Sequence, residues 1–299
     1  MTTRHTRTER SHGATIDLFR VGHSSEANRT YSPIRNRLTL RIESGELVAL
    51  LAPRGSSNST LLRLVAGIEQ SSSGMTLIDG EAASTAPRLV LSRNPALSAS
   101  QTVQAQVTAA QNARRAPGES ALHADQALQL LGLNRFAGAC PRELTAGTAQ
   151  RVSLATALVN DPGLLLLDDP FARLDPITRK AIQAELVSLW HRIGCTALLA
   201  TSDVDEALAV AGRIVVLDAQ SAHVVQDLTL DCDFPRRAGN PILARTRRLL
   251  LQSLELAATS ENTGSFALRY VEPVAPSDNF TWMMWPGQQL ALQHTAAFA

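Results

Sequence analysis

Two short stretches hold the residues best placed to do chemistry. The first is Ala52-Pro53-Arg54-Gly55-Ser56-Ser57-Asn58-Ser59-Thr60, which follows the apolar run Glu46–Ala52 and precedes Leu61, Leu62, Leu64 and Val65 at helical spacing. A strand entering a tight loop and then a helix turns unpaired N–H groups and the positive end of the helix dipole toward that loop, an arrangement suited to phosphate. The phosphate-loop pattern G-x-x-x-x-G-K-[ST] is met only in part. Ala52 takes the first glycine position, Ser57 the second and Asn58 the lysine, while Gly55, Ser59 and Thr60 are retained. Alone, the loop reads as an ordinary strand–turn–helix. The second stretch is Leu164–Leu167 followed by Asp168-Asp169, an apolar strand ending in acids. That is the form of a strand whose first carboxylate helps to hold Mg²⁺ beside a bound phosphate.

Positioning such loops requires a buried sheet. Short β-branched or leucine-rich runs alternate with helical patterns, so an α/β fold with a largely parallel sheet is expected. Strands are predicted at Thr15–Val21, Glu46–Ala52, Leu89–Leu91, Gly163–Asp168, Thr196–Thr201 and Arg213–Asp218. Helices are predicted at Ser59–Ala66, stopped by Gly67, at Ile177–Ile193 and at Val204–Ala211. The last has Ser202 before it as N-cap, Asp205 three residues on and Gly212 just past its end. Between about Pro95 and Asn160 the chain is rich in Ala, Gln and Leu, with helices expected at Ser120–Leu131 and Ala149–Val159, and reads as an inserted helical subdomain. The expected organisation is a basic tail at 1–13 taken as disordered, an α/β core at 14–94 and 160–232, the insertion at 95–159, a C-terminal helix at 233–257 (Ile242–Leu256 its periodic part) and a tail at 258–299. That tail carries Trp282, Met283, Met284 and Trp285, expected to fold back on the body.

A third segment joins the two chemical stretches: Leu144-Thr145-Ala146-Gly147-Thr148, followed by Ala149-Gln150-Arg151-Val152-Ser153. Together the three resemble the ATP-binding-cassette (ABC) transporter ATPases. "LLRLVAGIEQSSSG", "QRVSLATALVNDPGLLLLDDPFARLD" and "DVDEALAVAGRIVVL" are close to that family's wording, and the intervals match from about Thr15 to Leu256. The ending "VVQDLTLDCDFPRRAGNPILARTRRLLLQSL" looks most like the subunits of aliphatic-sulfonate importers, with nitrate and taurine importers next. The resemblance implies a P-loop NTPase (RecA-like) core with an inserted helical subdomain, ATP and Mg²⁺ as ligands, membrane permease subunits and a second ATPase subunit as partners, and a peripheral place on the cytoplasmic face of the membrane.

Carried onto this sequence, the family's pattern departs at most catalytic positions. Gly55, Ser56, Ser57, Asn58, Ser59 and Thr60 form the nucleotide loop, with Asn58 where a lysine reaches the β- and γ-phosphates; Arg54 is a weak candidate for a substitute cation. Losing one charged hydrogen bond costs about 1.5–3 kcal/mol. Ser59 and Asp168 fall at the Mg²⁺ positions. Asp169 falls at the general-base glutamate, one methylene shorter, where a misplacement of about 1 Å can cost roughly 10²-fold in rate. Arg93 falls at the Q-loop glutamine, and Ser202 at the switch histidine. In the signature segment Thr145, Ala146 and Thr148 replace Ser, Gly and Gln, leaving Leu144 and Gly147; the D-loop Asp175 is kept. Ser25 is in register for the adenine-stacking aromatic, with Tyr31 a displaced candidate.

Composition narrows the remaining classes. The net charge of +1 gives no footprint for nucleic acid, and none is expected as partner. Lys180 is the only lysine of the 28 basic residues, so no second lysine is near Asn58 in sequence. Cys140, Cys195 and Cys232 lie far apart, which argues against a disulfide framework or zinc site and fits a reducing compartment. The start, with Arg4, Arg7 and Arg10, lacks the apolar stretch of a signal peptide. Apolar scaffold positions are intact while catalytic ones are altered. Weak ATP binding and impaired or absent hydrolysis are therefore expected; the alternative is a non-catalytic scaffold or regulatory ABC-fold paralogue.

Overall fold

A computed structural model describes residues 13–23, 34–83, 89–92, 97–113, 122–160, 163–172, 174–219, 222–236 and 239–259. The chain divides into two units, Met1–Thr263 and Gly264–Ala299, and all of the second lies outside the described residues. So do Arg4, Arg7 and Arg10, Ser25, Tyr31, Arg93 and the Trp282–Trp285 segment.

In chain order the elements are β1 (Ile16–His23), β2 (Ile34–Ile42), β3 (Leu47–Leu51), α1 (Asn58–Val65), β4 (Ser73–Ile78), β5 (Glu81–Ala82), β6 (Leu89–Ser92), α2 (Val103–Ala113), α3 (Ala124–Leu130), α4 (Ala146–Leu158), β7 (Leu164–Asp168), α5 (Pro176–Ile193), β8 (Thr196–Thr201), α6 (Val204–Val210), β9 (Arg213–Leu217), β10 (Val224–Thr229) and α7 (Pro241–Thr259). Six strands form the central sheet in the order β10-β9-β3-β8-β7-β6, parallel except for β10. Every residue of β3 and β8 is buried, which accounts for their unbroken apolar sequences: both faces of the sheet are covered.

The two-residue repeat of a strand divides the core. Leu47, Ala49 and Leu51 of β3 join one apolar cluster with α2–α6 residues, whereas Val48 and Leu50 join another with β1, β2 and Leu61, Leu62, Leu64 and Val65 of α1. Strand register then levels the C-terminal ends. Leu51 pairs with Thr201, Asp168 with Ala200, and Ser92 with Asp168. Loops leaving β3, β6, β7 and β8 must emerge side by side, the position where open α/β sheets bind ligands.

Three sequence expectations change here. Besides the parallel sheet there is a four-stranded antiparallel one, β2-β1-β4-β5, of which only β1 was anticipated. Its strands carry bulges and many exposed polar residues, so the apolar content that marks a buried strand is diluted. β10, an edge strand with half-exposed residues, was missed for the same reason. Ile177, the apolar residue on which the predicted helix Ile177–Ile193 opens, is 83% exposed; α5 begins one residue earlier, at Pro176, and Ile177 lies in its first turn.

Candidate functional site

The phosphate loop leaves β3 at the level fixed by its neighbour: Ala52 N donates to Thr201 O at 3.2 Å, and on the far side of β8 Asp169 N donates to Ala200 O at 2.9 Å. Gly55 holds φ +80°, the left-handed conformation that glycine takes without a Cβ penalty. Arg54 is exposed and forms no ion pair among the described residues.

Where loop becomes helix, two polar side chains turn inward. Ser57 is the N-cap of α1, yet its ψ of 9° is outside the extended region in which a capping hydroxyl reaches back to the first turn, and it makes no cap hydrogen bond. Its Oγ is buried without a partner. Asn58, only 7% exposed, donates from Nδ2 to Leu50 O at 3.0 Å, while its Oδ1 is buried and unpartnered. The side chain at the lysine position is thus clasped to the strand beneath it.

One residue on, Ser59 Oγ donates to Asp168 Oδ1 at 2.8 Å, closing the loop onto the end of β7 across 109 positions of sequence. A hydroxyl and a carboxylate in contact beside a helix N-terminus are hard oxygen donors of the kind Mg²⁺ takes together with phosphate oxygens. The residues present fit that ion. Asp169 follows at φ +47°, a left-handed position that aspartate tolerates better than most side chains.

At the end of β8 the cap differs from expectation. The N-cap of α6 is Asp203, whose Oδ1 accepts from Asp205 N at 2.8 Å and Glu206 N at 3.3 Å; Ser202 is the residue before it. β8 runs through Thr201, and Thr201 Oγ1 accepts from Asp203 N at 3.1 Å, which sets the helix start one residue later than Ser202 would.

Beneath this turn lies a buried cluster that sequence reasoning missed. Glu206 is 3% exposed; its Oε2 accepts from Thr201 Oγ1 at 2.8 Å, and its Oε1 lies 3.6 Å from Arg179 Nη1. Arg179 also lies 3.6 Å from Asp203 Oδ2 and donates from Nη2 to Leu174 O at 3.3 Å. Burial pushes the Glu206 carboxyl up to about 7; the Thr201 hydrogen bond and Arg179 oppose the rise, and the charges of Asp203 and Asp169 add to it. The only sequence signal was a glutamate in the first turn of α6, which reads as a dipole-favouring surface residue.

The signature segment enters α4 with Thr145 as N-cap, Oγ1 accepting from Thr148 N at 3.2 Å and lying 2.9 Å from Thr148 Oγ1. Gly147 is buried, and a Cβ there would come within 2.5 Å of Thr178 Cγ2 and close to Leu174. Close approach of α4 to the start of α5 therefore needs this glycine. Asp175 caps α5, accepting from Ile177 N at 3.1 Å and Thr178 N at 3.0 Å, and the bonds from Thr178 hold its carboxyl below the usual range. Leu144 and Ala146 flank the cap. The structure therefore brings Asn58, Ser59, Asp168, Asp169 and the Ser202 turn to one edge, and ties the signature segment to the D-loop residues within the same chain. Arg93 follows Ser92, which pairs with Asp168, but itself lies outside the described residues.

A mostly parallel sheet with a phosphate loop after one strand, an acid-ended strand two places away and a capped helix over an inserted helical segment define an ABC-type nucleotide-binding cassette. Residues 35–172 match the ABC transporter family. The chain belongs to that family. It is 37% identical over 221 residues to the aliphatic sulfonates import ATP-binding protein SsuB 1 of Pseudomonas savastanoi pv. phaseolicola (strain 1448A / Race 6), covering 74% of this chain and 89% of that protein. It is 40% identical to SsuB of Mycobacterium avium (strain 104), over 73% and 83% of the two chains. Against SsuB of Escherichia coli (strain K12) the identity is 36%, over 76% and 88%. In fold it is similar to the dimeric post-hydrolysis ATP-binding cassette MJ0796 bound to ADP and Pi, with TM-score 0.63 and 23% identity, covering 73% of this chain and all of that one.

Proposed function

We propose that this chain is the ATP-binding subunit of an importer of the aliphatic-sulfonate type, and that its ATP hydrolysis is impaired or absent. The relatives' names support the transport class. The clasp of Asn58 onto Leu50 O is the observation that carries the second half. In this reading the Gly55–Thr60 backbone cradles phosphates, Ser59 and Asp168 hold Mg²⁺, Asp169 orients the attacking water and Ser202 stands in for a proton-accepting residue it cannot replace. Mg²⁺ would supply charge neutralisation. The protein's own cationic contribution at the lysine position is gone, worth about 1.5–3 kcal/mol of binding. Nucleotide is accordingly held weakly.

Partners in this reading are membrane permease subunits and a second ATPase subunit, of this or another sequence, whose signature segment would complete the site. Among the described residues no helix is long and apolar enough to cross a membrane, which is compatible with a peripheral subunit on the cytoplasmic face. The core, the helical insertion at 95–159 and the C-terminal helix divide the labour as cassette, signature arm and appendage.

The test is phosphate release by the purified chain with Mg-ATP, alone and with a candidate partner ATPase. Near-background release by the chain alone is expected, and turnover of about 1 s⁻¹ or more, the low end of ordinary enzyme rates, overturns the impairment. Restoring Asn58→Lys, Asp169→Glu and Ser202→His together should raise release; no rise places the defect elsewhere, at Arg93 or the signature segment.

A further inference from the structure

The turn after β8 and the D-loop belong to different segments of the chain, yet one side chain holds both. Arg179, in the first turn of α5, lies 3.6 Å through Nη1 from Glu206 Oε1 and from Asp203 Oδ2, and donates from Nη2 to Leu174 O at 3.3 Å. Leu174 opens the D-loop. A Cβ on Gly147 of the signature segment would strike Thr178 and touch Leu174, so that segment rests on the same stretch.

Stability does not account for this arrangement. Glu206 is 3% exposed, and burial pushes its carboxyl up to about 7, so its charged form costs the fold more than Thr201 and Arg179 return. The charged groups facing it are Arg179 from α5, Asp169 from the end of β7 and Asp203 from its own turn; Asp205 is engaged by Arg247 of α7 at 2.6 Å. Arg179 is the one cation among those three. Capping α6 does not require it, since Asp203 Oδ1 already accepts from Asp205 N and Glu206 N.

We propose that Arg179 is a positioning residue that joins the turn after β8 to the D-loop, with the charged Glu206 as its buried anchor, so that the two loops shift together. The proposal rests on the cassette reading above. In that reading the turn serves this chain's own nucleotide, and the signature segment beside the D-loop completes the partner's site. The joint then gives a chain with impaired hydrolysis a route to influence the subunit beside it.

Hydrogen exchange of the full chain without nucleotide, expressed as protection relative to intrinsic rates, tests this. Arg179→Met should lower protection about fivefold or more at both Ser202–Glu206 and Leu174–Thr178. Among the described residues Glu206 has no hydrogen bond or ion pair to the D-loop. Even so, at pH 8 Glu206→Gln should lower protection at Leu174–Thr178 about threefold. Near pH 6, where Glu206 of the parent is itself mostly protonated, the two chains should agree within about twofold. Unchanged protection at Leu174–Thr178 in either variant at pH 8 overturns the proposal, as does a Glu206→Gln effect of the same size at both pH values. If Arg179→Met does not fold, the Glu206→Gln measurements still decide. A chain that binds no Mg-ATP in calorimetry removes the nucleotide reading, whereas the exchange results, taken without nucleotide, judge the joint independently.

Discussion

Two halves of one strand-end site, four residues wide, have gone different ways. In the proposed reading the metal half is Ser59 on Asp168, a hydroxyl and a carboxylate in contact at 2.8 Å. The phosphate half, Ser57 and Asn58, has turned its polar atoms into the body, with Asn58 bonded to Leu50 O and Ser57 Oγ unpaired. Both halves start from the loop after β3, and the metal half reaches across to β7 of the same sheet, so on a sound scaffold the difference lies in the side chains themselves. It teaches that a cradle's backbone shape and its charge are separable: the first is set by β3, α1 and their buried leucines, the second by a single side chain.

The comparison presupposes a sound scaffold, and the largest expected effect tests that. Leu198, in the middle of β8, the strand between β3 and β7, is fully buried, and Leu198→Ala should cost about 2–5 kcal/mol in denaturant melting. A loss under about 1 kcal/mol would mean the strands are looser than their burial implies, and the halves could then differ for that reason alone.

Next comes the carboxyl under the β8 turn. Glu206 ordinarily ionises near 4.5 and in the fold near 7, so the folded chain binds its proton more tightly than the unfolded chain. The penalty is absent below pH 4.5, grows between 4.5 and 7, and is complete above 7. Glu206→Gln should therefore stabilise the chain by about 1–3 kcal/mol at pH 8 and progressively less toward pH 5. A pH-independent difference in thermal melting would show that the carboxyl titrates normally.

Asn58→Ala and Ser59→Ala sharpen the contrast directly. Removing the Asn58 amide takes away a second, buried donor to Leu50 O, a carbonyl within the β3–β8 ladder, and should cost about 1–1.5 kcal/mol of stability. Ser59→Ala gives up a half-exposed hydroxyl and should cost less, about 0.5–1.5 kcal/mol, while abolishing the Mg²⁺ dependence of nucleotide binding. Equal stability losses, with Mg²⁺ dependence retained in Ser59→Ala, would erase the distinction between the halves.

Much of this architecture was open to reading in the chain. The unbroken runs Leu47–Leu51, Leu164–Leu167 and Thr196–Thr201 announce strands covered on both faces, and the structure puts strands at each. The antiparallel sheet was far less legible. Ile34–Ile42 does alternate, IRNRLTLRI, but its arginines hid a strand buried on one face only, and Ser73–Ile78 begins with exposed residues and a glycine at φ +73°. Ser202 and Asp203 are both good capping residues; only the length of β8 chose between them.

The sequence by itself determined which atoms the loop could offer: no ammonium at position 58, a hydroxyl at 57, and an intact hydroxyl–carboxylate pair at 59 and 168. Spacing and apolar runs determined the strand–loop–helix that presents them. Where those atoms point was decided by tertiary structure alone. Asn58 bonds to Leu50 O because α1 packs on the face of β3 that carries Leu50, and Glu206 is buried because α6 closes over Thr201. A short-range pattern specifies a side chain's chemistry; its partner depends on which surface covers it, and that follows only from how the layers stack.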